Sequence, residues 1–214
     1  MMPTKTDIPN VEPTSRQQKA QATRLKLVRA AMTCVERYGY SGASVSRIIE
    51  TAGVSRGAYL HHFKAKHLIF RAVALQLVSD VFHQLSQLKF DDKNPEDTLR
   101  LILHSLWEDI LQGPEGRVFT ELMLAARTDE ILATHMRRPA FRALRIFGWA
   151  AARRLPTRPD SPLRGIDVAR IAHWSLRGMA LEQPLSMNPL FFRRQIDLIV
   201  DCLSPHLASE PLQK

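Results

Sequence analysis

Chemistry in this chain concentrates between Ser44 and Lys66, and it is the chemistry of recognition rather than of bond breaking. Arg56 carries a planar fork of donors that matches guanine O6 and N7. Gly57 beside it has no side chain, so backbone or methyl groups of a partner can come close. Tyr59, His61, His62 and Lys66 supply donors suited to phosphate oxygens, which position a protein on a duplex without reading its sequence. Lys66 opens a further helix, whose first backbone N–H groups also favour an anion. Ser44, Arg47, Ser55 and Leu60 complete the set expected to face DNA.

Those side chains need a frame, and the spacing supplies one. Val45, Ile48, Ile49 and Ala52 fall at i, i+3, i+4 and i+7, a single apolar helical face. Ser44 precedes it as an N-cap, and Gly53 follows where a left-handed residue commonly ends a helix. Ser55 then caps a second helix, Arg56 to about His62. Two short helices around a tight turn form a helix-turn-helix, whose second helix enters the major groove. A preceding helix, about Ser15 to Tyr38, presents Leu25, Val28, Met32 and Val35 to the pair, with Tyr40 and Phe63 in the shared core.

The run GVSRGAYLHHFKAK, Gly53 to Lys66, resembles the helix-turn-helix signature of TetR-type transcriptional regulators. The likeness extends back through Ser44 to Ile48, Tyr38-Gly39-Tyr40 and Ala30-Ala31, and covers about residues 17 to 77. Two departures stand out. The family usually has Leu-Tyr where this chain has Tyr59-Leu60, and that tyrosine often touches DNA. Either Tyr59 takes the role from a neighbouring angle, or Leu60 meets a thymine methyl. Ala65 and His67 replace a common Ser or Asn and a Glu, and the missing N-cap costs about 1 kcal/mol.

The helical pattern and the resemblance together imply an all-α chain in three parts: a disordered basic N-terminal arm over 1–16, a DNA-binding domain over 17–77 with the helix-turn-helix at about 44–63, and a ligand-binding and dimerisation domain over 78–214. It implies a repressor held as a homodimer on a palindromic operator of double-stranded DNA and released by a small apolar effector. Such proteins pair through their last two long helices. Paired motifs about 34–36 Å apart would meet successive major grooves. An activator, a regulator without an effector and a non-specific architectural DNA binder are the alternatives.

Charge supports this division. The net charge is +9. Residues 1–66 hold 11 Lys and Arg against 4 Asp and Glu, whereas residues 67–214 hold 19 against 17. A basic segment joined to a nearly neutral one suits a polyanion-binding module.

Beyond Lys66 the pattern stays helical. Val73, Leu77, Val81, Leu85 and Leu88 stripe one helix; Asn94, Pro95, Glu96 and Asp97 start another, which Gly113-Pro114 stops. Helices follow over about 115–126, then from a cap at Thr128 or Asp129 to about Leu155, with Pro139 expected to kink or split it near Arg137, then over 166–183 and 189–203. An effector pocket is expected from His104, Trp107, Phe119, Met123, Met136, Phe147, Trp149 and Trp174. A dimer contact is expected from Ile171, Trp174, Ser175, Gly178 and Met179 with Ile196, Ile199, Val200 and Leu203.

No GxGxxG, P-loop, GxSxG, HExxH or CxxC is present, and Glu108 and Asp109 diverge on a helix, so no enzymatic set and no cofactor is expected. His61 and His62 point about 100° apart, a poor start for a metal site. Cys34 and Cys202 are expected as reduced, buried thiols of a cytoplasmic protein. No apolar run approaches the ~18 residues of a membrane helix, and with no apolar stretch in the N-terminal segment no secretory signal is expected.

Overall fold

In the computed structural model, residues 14–89, 94–185 and 188–208 are described. The expected arm over 1–16 therefore lies almost wholly outside the described residues. The described residues form nine α-helices: α1 (Ser15–Gly42), α2 (Val45–Ala52), α3 (Arg56–His62), α4 (Lys66–Gln87), α5 (Pro95–Ser105), α6 (Pro114–Ala125), α7 (Glu130–Arg154), α8 (Gly165–Glu182) and α9 (Pro189–Leu203). No strand occurs among them, only one isolated bridge between Thr157 and Leu207.

The sequence sets most of these boundaries by capping. The Ser44 hydroxyl accepts from the Arg47 N–H at 3.3 Å and Ser55 from Ala58 at 3.1 Å. Gly53 adopts φ 61°, the left-handed ending that a Cβ resists. Asn94 accepts from both Glu96 and Asp97 ahead of Pro95. Asp129 Oδ1 accepts from the Leu132 N–H at 2.8 Å and so caps α7. At Ala65 there is no side-chain cap, as the departure at that position predicts.

The first helix breaks at Gly39, as expected, where the backbone takes φ 67°; helical turns then resume to Gly42, so that α1 spans the break. Of the two outcomes expected at Pro139, the split does not occur: α7 runs through it as one element. The helix after Asn94 does not reach Gly113 as one α-helix; it widens into a π turn over Leu106–Leu111. α6 crowds onto that turn, so that a Cβ on Gly116 would collide with the Ile110 carbonyl.

Two apolar cores result. The first joins Leu27, Ala31, Val35, Ile48, Phe63, Ile69 and Phe70 of α1 to α4, and it continues into Val118, Leu122, Leu132 and Met136 of α6 and α7. The second holds Leu99, Leu103, Trp107, Val168, Leu176, Phe192, Ile196 and Val200. α4 contributes to both, with Leu77 in the first and Val81 and Leu85 against the second. By length and composition α4 alone among the described helices could cross a membrane. Its apolar side chains Ile69, Phe70, Val73 and Leu77 are instead buried within the protein.

Candidate nucleic-acid interface

α2 and α3 meet across the turn at Gly53, and Ile48, Tyr59 and Phe63 fix the pair against α1. This leaves Arg56, Gly57, Leu60 and His61 exposed on α3, with Arg47 exposed and Ser44 half-buried on the α2 side. A Cβ on Gly57 would meet only the Ser55 hydroxyl, at 3.8 Å, so nothing within the protein requires glycine there. Arg47 stacks 4.8 Å above the Tyr38 ring and donates to the Gly42 carbonyl at 2.6 Å, which holds its guanidinium beside the motif. The rings of His61 and His62 meet edge-on. Burial, then His61 and Arg24, hold the His62 imidazole below the usual histidine range.

Tyr59 does not face outward. It is 1% exposed, packed on Phe63, and its hydroxyl is buried without a partner among the described residues. Position 59 falls on the inward face of α3, so the tyrosine occupies a core site while Leu60, 48% exposed, takes the outward one. Lys66 is also redirected. Its ammonium donates to the Tyr40 carbonyl at 2.9 Å and lies over the Tyr40 ring at 4.4 Å, and burial pulls its pKa down.

Tyr40 ties this domain to the helices that follow. Its N–H donates to Glu121 of α6 at 2.9 Å and its hydroxyl to Asp129 at 2.8 Å. Burial and then the Asp129 carboxylate raise the Tyr40 pKa, and the Leu132 N–H followed by the Tyr40 hydroxyl lowers that of Asp129. Arg117 of α6 pairs with Glu36 at 2.7 Å, and His67 of α4 stacks on His135 of α7 at 4.2 Å.

Between α4, α6, α7, α8 and the π turn lies a cavity of about 500 Å³. Its walls are mostly apolar: Val78, Leu106, Ile110, Phe119, Met123 and Leu144 are among them. Phe119, Met123 and Trp174 line it as expected. His104, Trp107 and Met136 do not. His104 points at Asp197 of α9, 3.2 Å away, Trp107 stacks on Phe192 in the second core, and Met136 is buried in the first. The side chains of Phe147 and Trp149 lie outside the described residues. The sequence reading missed Arg137, Arg170, His173 and Arg177, which also line the cavity. Burial and then Arg177 push the His173 imidazole down to about 4.

Residues 27–73, from the second half of α1 into α4, match the model of bacterial regulatory proteins of the tetR family. This is a TetR-family helix-turn-helix domain. An HTH-type transcriptional regulator of Mycobacterium tuberculosis, Rv2912c, is 30% identical over 118 residues, 55% of this chain and 60% of its own length. The transcriptional repressor AcnR of Corynebacterium glutamicum is 41% identical over 113 residues, 53% of this chain and 55% of its own. The chain thus spans little more than half the length of these relatives. The fold extends further: a transcriptional regulator from Rhodococcus sp. RHA1 superposes with a TM-score of 0.71 at 23% identity, covering 85% of this chain and 96% of the other. Reduced NemR of Escherichia coli superposes with a TM-score of 0.67 at 16% identity, covering 87% and 98%.

Behind the TetR-family domain, the faces of α8 and α9 only partly follow the sequence reading. Ile171, Trp174 and Gly178 are exposed on α8, and a Cβ on Gly178 would touch nothing. Ser175 is half-buried; Met179 and Ile199 pack against the second core. Ile196, Val200 and Leu203 are buried inside the protomer and cannot form an outer contact. The outward apolar side chains of α9 are Leu190, Phe191 and Leu198. Cys202 shares that outward side and is exposed, contrary to expectation, whereas Cys34 is buried.

Proposed function

We propose that the chain is a homodimeric, sequence-specific transcriptional repressor of the cytoplasm that binds a palindromic operator and is released by a small effector. One observation carries the reading: a capped helix-turn-helix keeps Arg56, Gly57 and Leu60 exposed on its second helix, at the end of the chain where the positive charge is concentrated. Arg56 reads guanine in the major groove, Leu60 meets a thymine methyl, and Ser44, Arg47, Ser55, His61 and His62 flank them toward the phosphates. The DNA-reading part is residues 17–77, and the remainder regulates it and pairs two copies through the exposed faces of α8 and α9.

Effector control works through differential affinity. An effector in the cavity favours one spacing of the paired motif domains over the other, by no more than the difference in its affinity for the two. The Tyr40 contacts to Glu121 and Asp129 are the rigid link by which α6 and α7 move the reading helix. Selection of bound sequences from a random DNA pool, followed by footprinting, tests the proposal. A discrete palindrome supports it; uniform protection along any duplex refutes it in favour of a non-specific binder.

A further inference from the structure

The cavity is apolar for most of its length but carries an excess of positive charge. Its α7 wall includes Arg137, Ala140, Phe141, Leu144 and Gly148, and its α8 wall runs from Ile166 to Arg177 at similar helical spacing. The two helices pack along each other, and a Cβ on Gly148 would collide with the Ile166 side chain at 2.6 Å. Gly148 lies near the end of α7 and Ile166 at the start of α8, so helices that pack along each other from that point run antiparallel. Stepping back along α7 from Gly148 to Arg137 covers the same distance as stepping forward along α8 from Ile166 to Arg177. Arg137 and Arg177 therefore sit at the same end of the cavity.

Neither has a carboxylate partner among the described residues. Arg177 is half-buried, its guanidinium lies 4.9 Å over the Phe119 ring, and burial lowers its pKa. Arg137 is exposed at the mouth. Arg170 differs: it sits two turns away beside Asp167, at 3.8 Å. The cavity's own acid, Glu115, folds back toward Gly113 at the start of α6, where it also borders a second, polar hollow with Glu36 and Asp80. Removing a cation from water without a counterion is unfavourable. Arg177 is such a group, and with the exposed Arg137 at the same end of an apolar chamber it favours a negative charge attached to an apolar body.

We infer that the cavity takes an amphipathic organic anion, its acid group held by Arg177 with Arg137 at the mouth and its apolar body laid along Phe119 and Met123. This rests on the effector reading above and specifies the chemical class of that effector. The volume of about 500 Å³ falls within the range of small-molecule sites.

Matched probes test it on the full-length protein. Anilinonaphthalene sulfonate and its uncharged parent phenylnaphthylamine are titrated by fluorescence, then displaced with laurate or methyl laurate. The anionic member of each pair is expected to bind at least tenfold more tightly, about 1.4 kcal/mol. Arg177→Gln should remove that preference and leave affinity for the uncharged members nearly unchanged; Arg137→Gln should reduce it in part. Circular dichroism establishes that each variant is folded, and Arg137→Gln carries the test if Arg177→Gln is not. Equal or tighter binding of the uncharged members, or a loss in Arg177→Gln that is the same for both, overturns the anion assignment while leaving the effector cavity standing. Failure of every probe to bind overturns the cavity reading as well.

Discussion

Tyr59→Phe is expected to stabilise the protein, which is unusual for a change at a fully buried position. The Tyr59 ring is 1% exposed and packs beside Phe63 with centroids 6.1 Å apart. Phenylalanine keeps that ring and its burial, so the apolar contribution is unchanged. What disappears is a hydroxyl buried without a hydrogen-bond partner among the described residues. Leaving such a group unpaired costs roughly 1–3 kcal/mol. Allowing for the small void that remains, the expected gain is about 1–2 kcal/mol. At ~2–4 °C per kcal/mol for a chain of this size, the melting midpoint should rise by roughly 2–8 °C. Burial also raises the phenol's pKa. A tyrosine with a raised folded-state pKa contributes stability below its ordinary value near 10 and loses it as the pH climbs toward the folded value. The parent should therefore weaken in alkali more than the variant. Urea unfolding at neutral and alkaline pH, with operator binding alongside, measures all of this. A variant less stable than the parent would mean that the hydroxyl is hydrogen-bonded in the folded state. Lost DNA affinity at unchanged stability would return Tyr59 to the groove face.

Tyr40→Phe should cost about 1 kcal/mol, because it cuts the hydroxyl bond to the half-exposed Asp129 carboxylate, and it should weaken effector-induced release from DNA measured by fluorescence anisotropy. Asp129 has a depressed pKa, so its contribution holds above the ordinary carboxylate value of about 3.9 and is lost as the pH falls through the folded value; Asp129→Asn should flatten the acid limb of the stability–pH curve. Arg56→Ala should lose about 1–3 kcal/mol on the preferred operator and little on a scrambled one, whereas Lys66→Ala, which loses its contact with the Tyr40 carbonyl, should lower the melting midpoint; binding isotherms and melting curves separate the two. Leu198→Asp on the exposed side of α9 should give a folded monomer by sedimentation, while Ile196→Asp, at 0% exposure, should unfold the chain.

Capping residues made the order of helices legible in advance. Ser44, Ser55, Asn94 and Gly53 act through neighbours two to four positions away, so local sequence contains both partners. Apolar periodicity was less informative, because it identifies a buried face without naming what covers it. The pattern alone offers Ile196 and Val200 to a second copy, but they share the second core with Phe192, Trp107 and Leu176 of the same chain. Cys202 lies on the opposite side of that helix, which a whole-face reading of α9 did not separate. Tyr59 and Leu60 differ by one position and hence about 100°, enough to exchange core for surface. The charged lining of the cavity was hidden for a different reason: Arg137 and Arg177 become neighbours only through the antiparallel packing of α7 on α8. Nothing in the composition of Leu106–Leu111 distinguishes a π turn from ordinary helix.

That π turn is a helix holding one residue more than its turns require. Leu106 and Ile110 line the cavity while Trp107 is stacked on Phe192 in the second core, so a single strip of backbone serves two chambers. The chamber's shape is therefore stored in chain length as well as in side-chain identity. A lineage that dropped one residue here would rotate every downstream side chain by about a quarter turn and release the crowding on Gly116. It would redraw the specificity of the pocket in a single step, without a point substitution anywhere on its walls.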